Sequence, residues 1–172
     1  MKPEWIKFME MKGKNLRALM ASRMMISNRE EVWSFLCPDP VIGRGLWNED
    51  KGLMDEEGYW RFEWREDEAG NDLLILHEQD TPAPLTFEKA DVPSQKHVVY
   101  SSDYIPRGDG IIQSLKGYGF TRNGEKELVK VVIAMDNEWM TIIPAPGVID
   151  IFITEYPPVL ETYDELVFSS DE

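Results

Sequence analysis

Cys37, His77 and His97 are the residues of this chain best suited by type to drive a reaction, one thiol nucleophile and two imidazole bases. Cys37 lies between Leu36 and Pro38 at the end of an apolar run, where a cysteine reads as a small buried hydrophobe. Nothing in the spacing brings either histidine to it. Two histidines and one cysteine also fall short of the four ligands of a closed zinc site. Asn48-Glu49-Asp50-Lys51-Gly52 offers oxygen ligands for calcium. Counted as an EF-hand loop from Asn48, however, glycine falls one position early and Tyr59 stands where the closing glutamate belongs. Gly117-Tyr118-Gly119 begins like a dinucleotide fingerprint, but Arg122 replaces its third glycine and no βαβ unit surrounds it. Glycines on both sides of Tyr118 point instead to a bulge or bend in a strand. Arg107-Gly108-Asp109 spells an adhesion tripeptide, of a kind that arises often by chance in a turn. The 32 acids guarantee carboxylate pairs by number alone, so they single out no acid/base couple. The expectation is a non-enzymatic protein with no catalytic residue, metal or cofactor.

The charge is more informative. Residues 1–29 hold seven basic residues against Glu4 and Glu10, while the rest of the chain is strongly acidic and the net charge is −14. No Lys or Arg follows Lys130. Such sorting marks segments that meet something of opposite charge. The acidic body argues against a grip on nucleic acid, because each phosphate contact needs a cation. Trp5, Phe8 and the methionines of the basic segment favour a protein surface over phosphate. The candidate partner-binding residues are therefore Lys2, Trp5, Lys7, Phe8, Lys12, Lys14 and Arg17 at one end. At the other end they are Glu161, Asp164, Glu165, Asp171 and Glu172.

These residues need elements to hold them. Leu16, Leu19, Met20, Arg23 and Met24 follow helical spacing, with a strand through 17–26 as the alternative. Ser27-Asn28-Arg29-Glu30 matches a capping box opening a short helix that Pro38 and Pro40 stop. The glycines from Val41 to Gly58 suggest a long loop. From Tyr59 the period becomes two: Trp60, Phe62 and Trp64 share one face of a strand, and Arg61, Glu63 and Arg65 the other. Asp67–Asn71 turns it into a second strand over 72–78, and a loop rich in proline follows (Pro82, Pro84, Pro93). Further strands are expected over 96–104, 111–121, 127–135, 139–143 and 148–155. Asn123-Gly124 supplies the strongest hairpin signal, and a short terminal helix is expected over 159–168.

The segment Asn28–Pro40 resembles the opening of START-like helix-grip domains, a family whose curved sheet holds a long C-terminal helix and binds hydrophobic ligands. The chain departs from that pattern at Pro157-Pro158, which leave room for only a short helix.

At 172 residues the chain is read as a single domain with a full core. It divides into a basic amphipathic arm (1–26), a β-rich core (27–158) and an acidic C-terminal segment (159–172). The expected fold is α+β, mainly an antiparallel sheet of about seven strands in a sandwich or open barrel, with one or two N-terminal helices. No apolar stretch is long enough to span a bilayer as a helix and the N-terminus lacks a secretory pattern, so a cytoplasmic or virion-associated protein is expected. The leading functional expectation is a component of a larger assembly, such as a viral or phage particle, with protein partners that include copies of itself joined head to tail. One alternative is a β-barrel binding a small hydrophobic ligand against Trp60, Phe62 and Trp64. The other is an acidic inhibitor that blocks a basic partner.

Overall fold

A computed structural model describes residues 1–92 and 94–172; Pro93, placed above in the proline-rich loop, lies outside the described residues. The chain forms helix α1 (Pro3–Met9) and then strands β1 (Asn15–Ala21), β2 (Met25–Arg29), β3 (Val32–Cys37), β4 (Val41–Asn48) and β5 (Leu53–Glu66). These are followed by β6 (Asp72–Gln79), β7 (Thr86–Val92), β8 (Gln95–Tyr100), β9 (Ser102–Tyr104) and β10 (Ile112–Arg122). The last four are β11 (Glu125–Met135), β12 (Trp139–Ala145), β13 (Val148–Thr154) and β14 (Glu165–Ser169). Every strand pairing is antiparallel. One sheet runs β6-β5-β4-β1-β9, a second β14-β10-β11-β12-β13-β3-β2, and β7-β8 form a separate hairpin. The α+β, mainly antiparallel expectation holds, with a single short helix.

The two larger sheets enclose one core that includes Leu19, Phe35, Ile42, Trp60, Phe62, Leu115, Ile133 and Met140. Trp60 and Phe62 are completely buried, so the alternating face of β5 is core wall. A smaller core of Met20, Val41, Tyr59 and Leu85 lies on the outer face of the first sheet, with Val99 of the β7-β8 hairpin packed against it.

Several expectations about local structure are overturned, each for a physical reason. The stretch read as a helix around Leu16 and Leu19 is strand β1. A bulge between Leu16 and Ala18 inserts one residue, so two leucines three apart face the same core and imitate helical spacing. The capping-box segment is the β2-β3 hairpin. Pro38 would cut any helix there to fewer residues than a stable helix needs, while strand pairing satisfies the same backbone groups. This hairpin turns on Glu30 and Glu31, both at positive φ (51° and 66°), a conformation costing about 1–2 kcal/mol per residue for side chains other than glycine.

The supposed loop over 41–58 is β4 and the start of β5. Gly45 serves close approach, since a Cβ there would come within 2.7 Å of Arg17 and Met54, while Gly52 and Gly58 take positive φ. The proline-rich loop contains β7, and the expected terminal helix is replaced by β14, which adds to the edge of β10. The long C-terminal helix that the START-like resemblance implies therefore has no counterpart among the described residues, and residues 28–37, which carry the resemblance, lie in the β2-β3 hairpin. The glycines around Tyr118 do mark register shifts in β10. A Cβ on Gly119 would collide with the Glu127 carbonyl, and one on Gly117 with the Phe168 ring. Residues 1–26 supply α1, β1 and the first residues of β2 to the same sheets as 27–158, and residues 159–172 supply β14.

Among the described residues no helix is long and apolar enough to cross a membrane.

Candidate interaction surface

The basic segment splits into two parts that behave differently. Pro3 sits in the first turn of α1, where its missing N–H costs nothing, and Glu4 complements the helix dipole there. Spacing of three then puts Trp5, Phe8 and Met11 on one buried face. Phe8 meets Trp60 edge-on at 5.0 Å, Phe62 at 6.1 Å and Phe168 at 6.2 Å, and Trp5 lies 5.7 Å from Phe168. Helix α1 thus bridges β6 and β14, the terminal strands of the two large sheets. All four lysines of the segment pair within the molecule: Lys2 with Glu127 (3.3 Å), Lys7 with Glu78 (3.7 Å), Lys12 with Asp171 (3.3 Å) and Lys14 with Glu57 (2.7 Å). The Lys12 pair joins the basic segment to the acidic end inside one chain.

The acidic residues are also partly engaged. Asp164 pairs with Lys130 at 2.7 Å in a nearly buried contact, and Glu165 accepts a hydrogen bond from Thr121. Desolvation works to raise the Asp171 carboxyl, but hydrogen bonds from Ser114, Lys12 and Lys116 outweigh it and hold the group below the ordinary range. Glu161 and Glu172 are exposed. Of the proposed ligand-facing aromatics, Trp60 and Phe62 face the core, while Trp64 is half-buried and donates to Asp72.

The three arginines present a contrast. Among the described residues Arg17, Arg23 and Arg29 make no ion pair, although each belongs to the segment whose lysines are all paired. Arg17 occupies the β1 bulge. It lines a cleft of about 610 Å³ whose other walls include Leu46, Trp47, Met54, Ile105 and Ile111. It also lines an adjoining depression of about 310 Å³ with Glu56, Tyr59, His97, Ser101 and Asp103.

In that depression the His97 Nδ1 lies 3.2 Å from the Tyr59 hydroxyl and 3.4 Å from the buried Glu56 carboxylate. Lys96 donates its backbone N–H to the other Glu56 oxygen. A carboxylate-held imidazole is half of a hydrolytic triad. Among the described residues, however, no serine, threonine or cysteine is hydrogen-bonded to it. Burial, then the Asp150 carboxylate, pushes the Cys37 thiol up to about 12, which leaves it unreactive. Cys37, His77 and His97 lie in three different sheets. Among the described residues no cluster of His, Cys, Asp and Glu could hold a metal.

Arg23 and Arg29 flank β2, the terminal strand of the seven-stranded sheet, and all five residues of β2 are exposed. Met25 is 72% exposed and Ile26 52%. Trp33, opposite Asn28 on β3, also remains exposed. Natural proteins usually guard such an edge with proline, lysine, a bulge or a covering element. Among the described residues β2 has none of these: its pairing with β3 runs in continuous register, and its outer side is bare. The sequence did not reveal this surface, because a hairpin turned by two glutamates carries no turn signature and the alternation around it is weak. Compared with protein-family models, curated proteins and solved structures, the chain matches none.

Proposed function

We propose that this protein works without catalysis, as a component of a protein assembly, and that it meets its partners through the β2 edge and the arginines beside it. The observation that carries this reading is the bare edge strand: Met25 and Ile26 are exposed between two arginines that make no ion pair among the described residues. An open row of backbone donors and acceptors is a template for another strand, and apolar residues with arginine are enriched where proteins meet. The apolar residues first assigned to partner binding, Trp5 and Phe8, are used in closing the core, so the contact surface moves from the start of the arm to its end. A viral or phage particle is one assembly that fits, with the protein acting in the cytoplasm or in the particle.

The test is the native mass of the chain in extracts of cells that produce it, for the wild type and for the double variant Arg23→Glu/Arg29→Glu. The reading predicts a species heavier than one chain that collapses in the variant, while the purified variant keeps wild-type stability. A single-chain mass in both, or a heavy species indifferent to the variant, overturns it.

A second reading rests on the cleft beside Trp47, which joins an apolar wall to the Tyr59-His97-Glu56 group and suits a small amphipathic ligand. It predicts that an anilinonaphthalene sulfonate probe binds the wild type in the cleft and is lost from Trp47→Ala. Equal binding by both proteins removes this reading.

A further inference from the structure

The strand that completes the β2 edge is, we infer, the β2 strand of a second copy of this chain, paired antiparallel about a two-fold axis. The inference rests on the assembly reading above and names the partner that the surface accepts.

The geometry of the hairpin decides which groups are free. Glu30 and Glu31 both have positive φ, the signature of a two-residue turn of the type that closes twisted hairpins. Arg29 and Val32 on either side of it are then a hydrogen-bonded pair. In an antiparallel ladder hydrogen-bonded and non-bonded pairs alternate. Arg29, Ser27 and Met25 therefore turn their backbone groups toward β3, while Ile26 and Asn28 point theirs out from the sheet. A strand that adds to this edge must meet Ile26 and Asn28.

A two-fold axis makes the contact self-complementary, so each residue and its opposite appear twice. Only registers that set outward groups against outward groups are allowed. One sets Ser27 against Ser27. Ile26 then lies opposite Asn28, each pair exchanging both backbone hydrogen bonds, and Met25 lies opposite Arg29. Two residues beyond the strand, Arg23 arrives at Glu31 on the hairpin tip of the other copy. The register with Ile26 against Ile26 sets Arg23 against Arg29, a like-charge contact made twice. The register with Asn28 against Asn28 carries Arg23 past the hairpin tip of the other copy, away from both glutamates. Backbone parity and charge thus select the same register.

Two further features agree. Among the described residues Arg23, Arg29, Glu30 and Glu31 have no ion pair within the molecule. The tip also holds two glutamates in a backbone conformation that glycine or asparagine adopts more readily. The other terminal strands of the two large sheets suit the role less well. Helix α1 covers β6 and packs on Phe168 of β14, and β9 has only three residues. Pairing at β2 would join two seven-stranded sheets into one continuous sheet across the dimer.

The experiment is sedimentation of the purified full chain over a concentration series, for the wild type, Arg23→Glu, the swap Arg23→Glu/Glu31→Arg, and Ile26→Pro. Proline at position 26 deletes an outward N–H and leaves the bonds to β3 intact. The expected result is a concentration-dependent dimer, weakened about tenfold or more by Arg23→Glu because the repulsive contact occurs twice. The swap restores it and Ile26→Pro abolishes it. A wild type that is monomeric at every concentration overturns the inference, as does a dimer indifferent to Ile26→Pro or not rescued by the swap. If the purified chain is monomeric while the species in extracts stays heavy and sensitive to the arginines, the self-pairing fails and the assembly reading stands. If both are single chains, the reading fails with it.

Discussion

The β6 and β14 edges and the β2 edge are treated in opposite ways by one stretch of chain. Residues 1–14 cover the first two: Trp5, Phe8 and Met11 fill the gap between the sheets, and each lysine finds an acid of the same molecule. Residues 22–29 do the reverse. They end in a strand with every side chain exposed and with arginines that have no partner among the described residues. Positive charge and apolar residues in a sequence therefore do not specify docking on another molecule. What separates the two halves is whether a core lies within reach.

Substitutions sharpen this contrast, and the largest effect belongs to the covered edges. Phe8 is fully buried against three rings, so Phe8→Ala should cost about 3–5 kcal/mol of unfolding free energy in urea titration. A loss below about 1 kcal/mol would mean that α1 is an accessory rather than part of the core. Gly117→Ala comes next. Its methyl group would push the Phe168 ring toward α1, at a cost of about 1–3 kcal/mol by the same measurement.

A smaller effect follows from His77 on β6. Burial first, and Arg61 second, lower its affinity for a proton below that of an ordinary histidine. The folded state thus binds fewer protons than the unfolded one. The stability tied to neutral His77 is fully present above the ordinary histidine value and is lost as pH falls through the depressed one. Urea midpoints taken down this range should fall for the wild type and fall less for His77→Asn; parallel curves would contradict the assignment. The smallest effect belongs to β2. Ile26→Ser should change the stability of the isolated monomer by no more than about 0.5 kcal/mol, because the side chain is already in water.

How much of this was legible in the sequence differs between the same two regions. Strands β5, β6 and β10 to β13 were readable because β5 and β6 pair with a strict period of two and Asn123-Gly124 announces its own turn. Strands β7 and β14 were missed, and the strand expected over 96–104 is β8 and β9 of two different sheets. The N-terminal third was not. The bulge at Arg17 broke the period of β1 in a way that copied a helix, and Ser27 to Glu30 satisfied a capping rule that holds only if a helix follows. The charge sorting was real in both sequence and structure. Its meaning depended on which cations the acidic sheets could reach, and that information is three-dimensional. The same holds for the Tyr59-His97-Glu56 group, drawn together from β5 and β8 across residues 56–97 by the folding of one hairpin onto another sheet.

On the proposed reading, β2 is a working edge while the edges beneath α1 are closed. Amide hydrogen exchange of the purified chain, followed residue by residue as concentration rises, tests it most directly. The account predicts that the Ile26 and Asn28 amides slow with concentration, while Ser27 and Arg29, bonded to β3, and Trp5 to Phe8 in α1 keep their rates. Exchange at Ile26 and Asn28 that stays fast at every concentration, or slowing that falls on α1 instead, would contradict it.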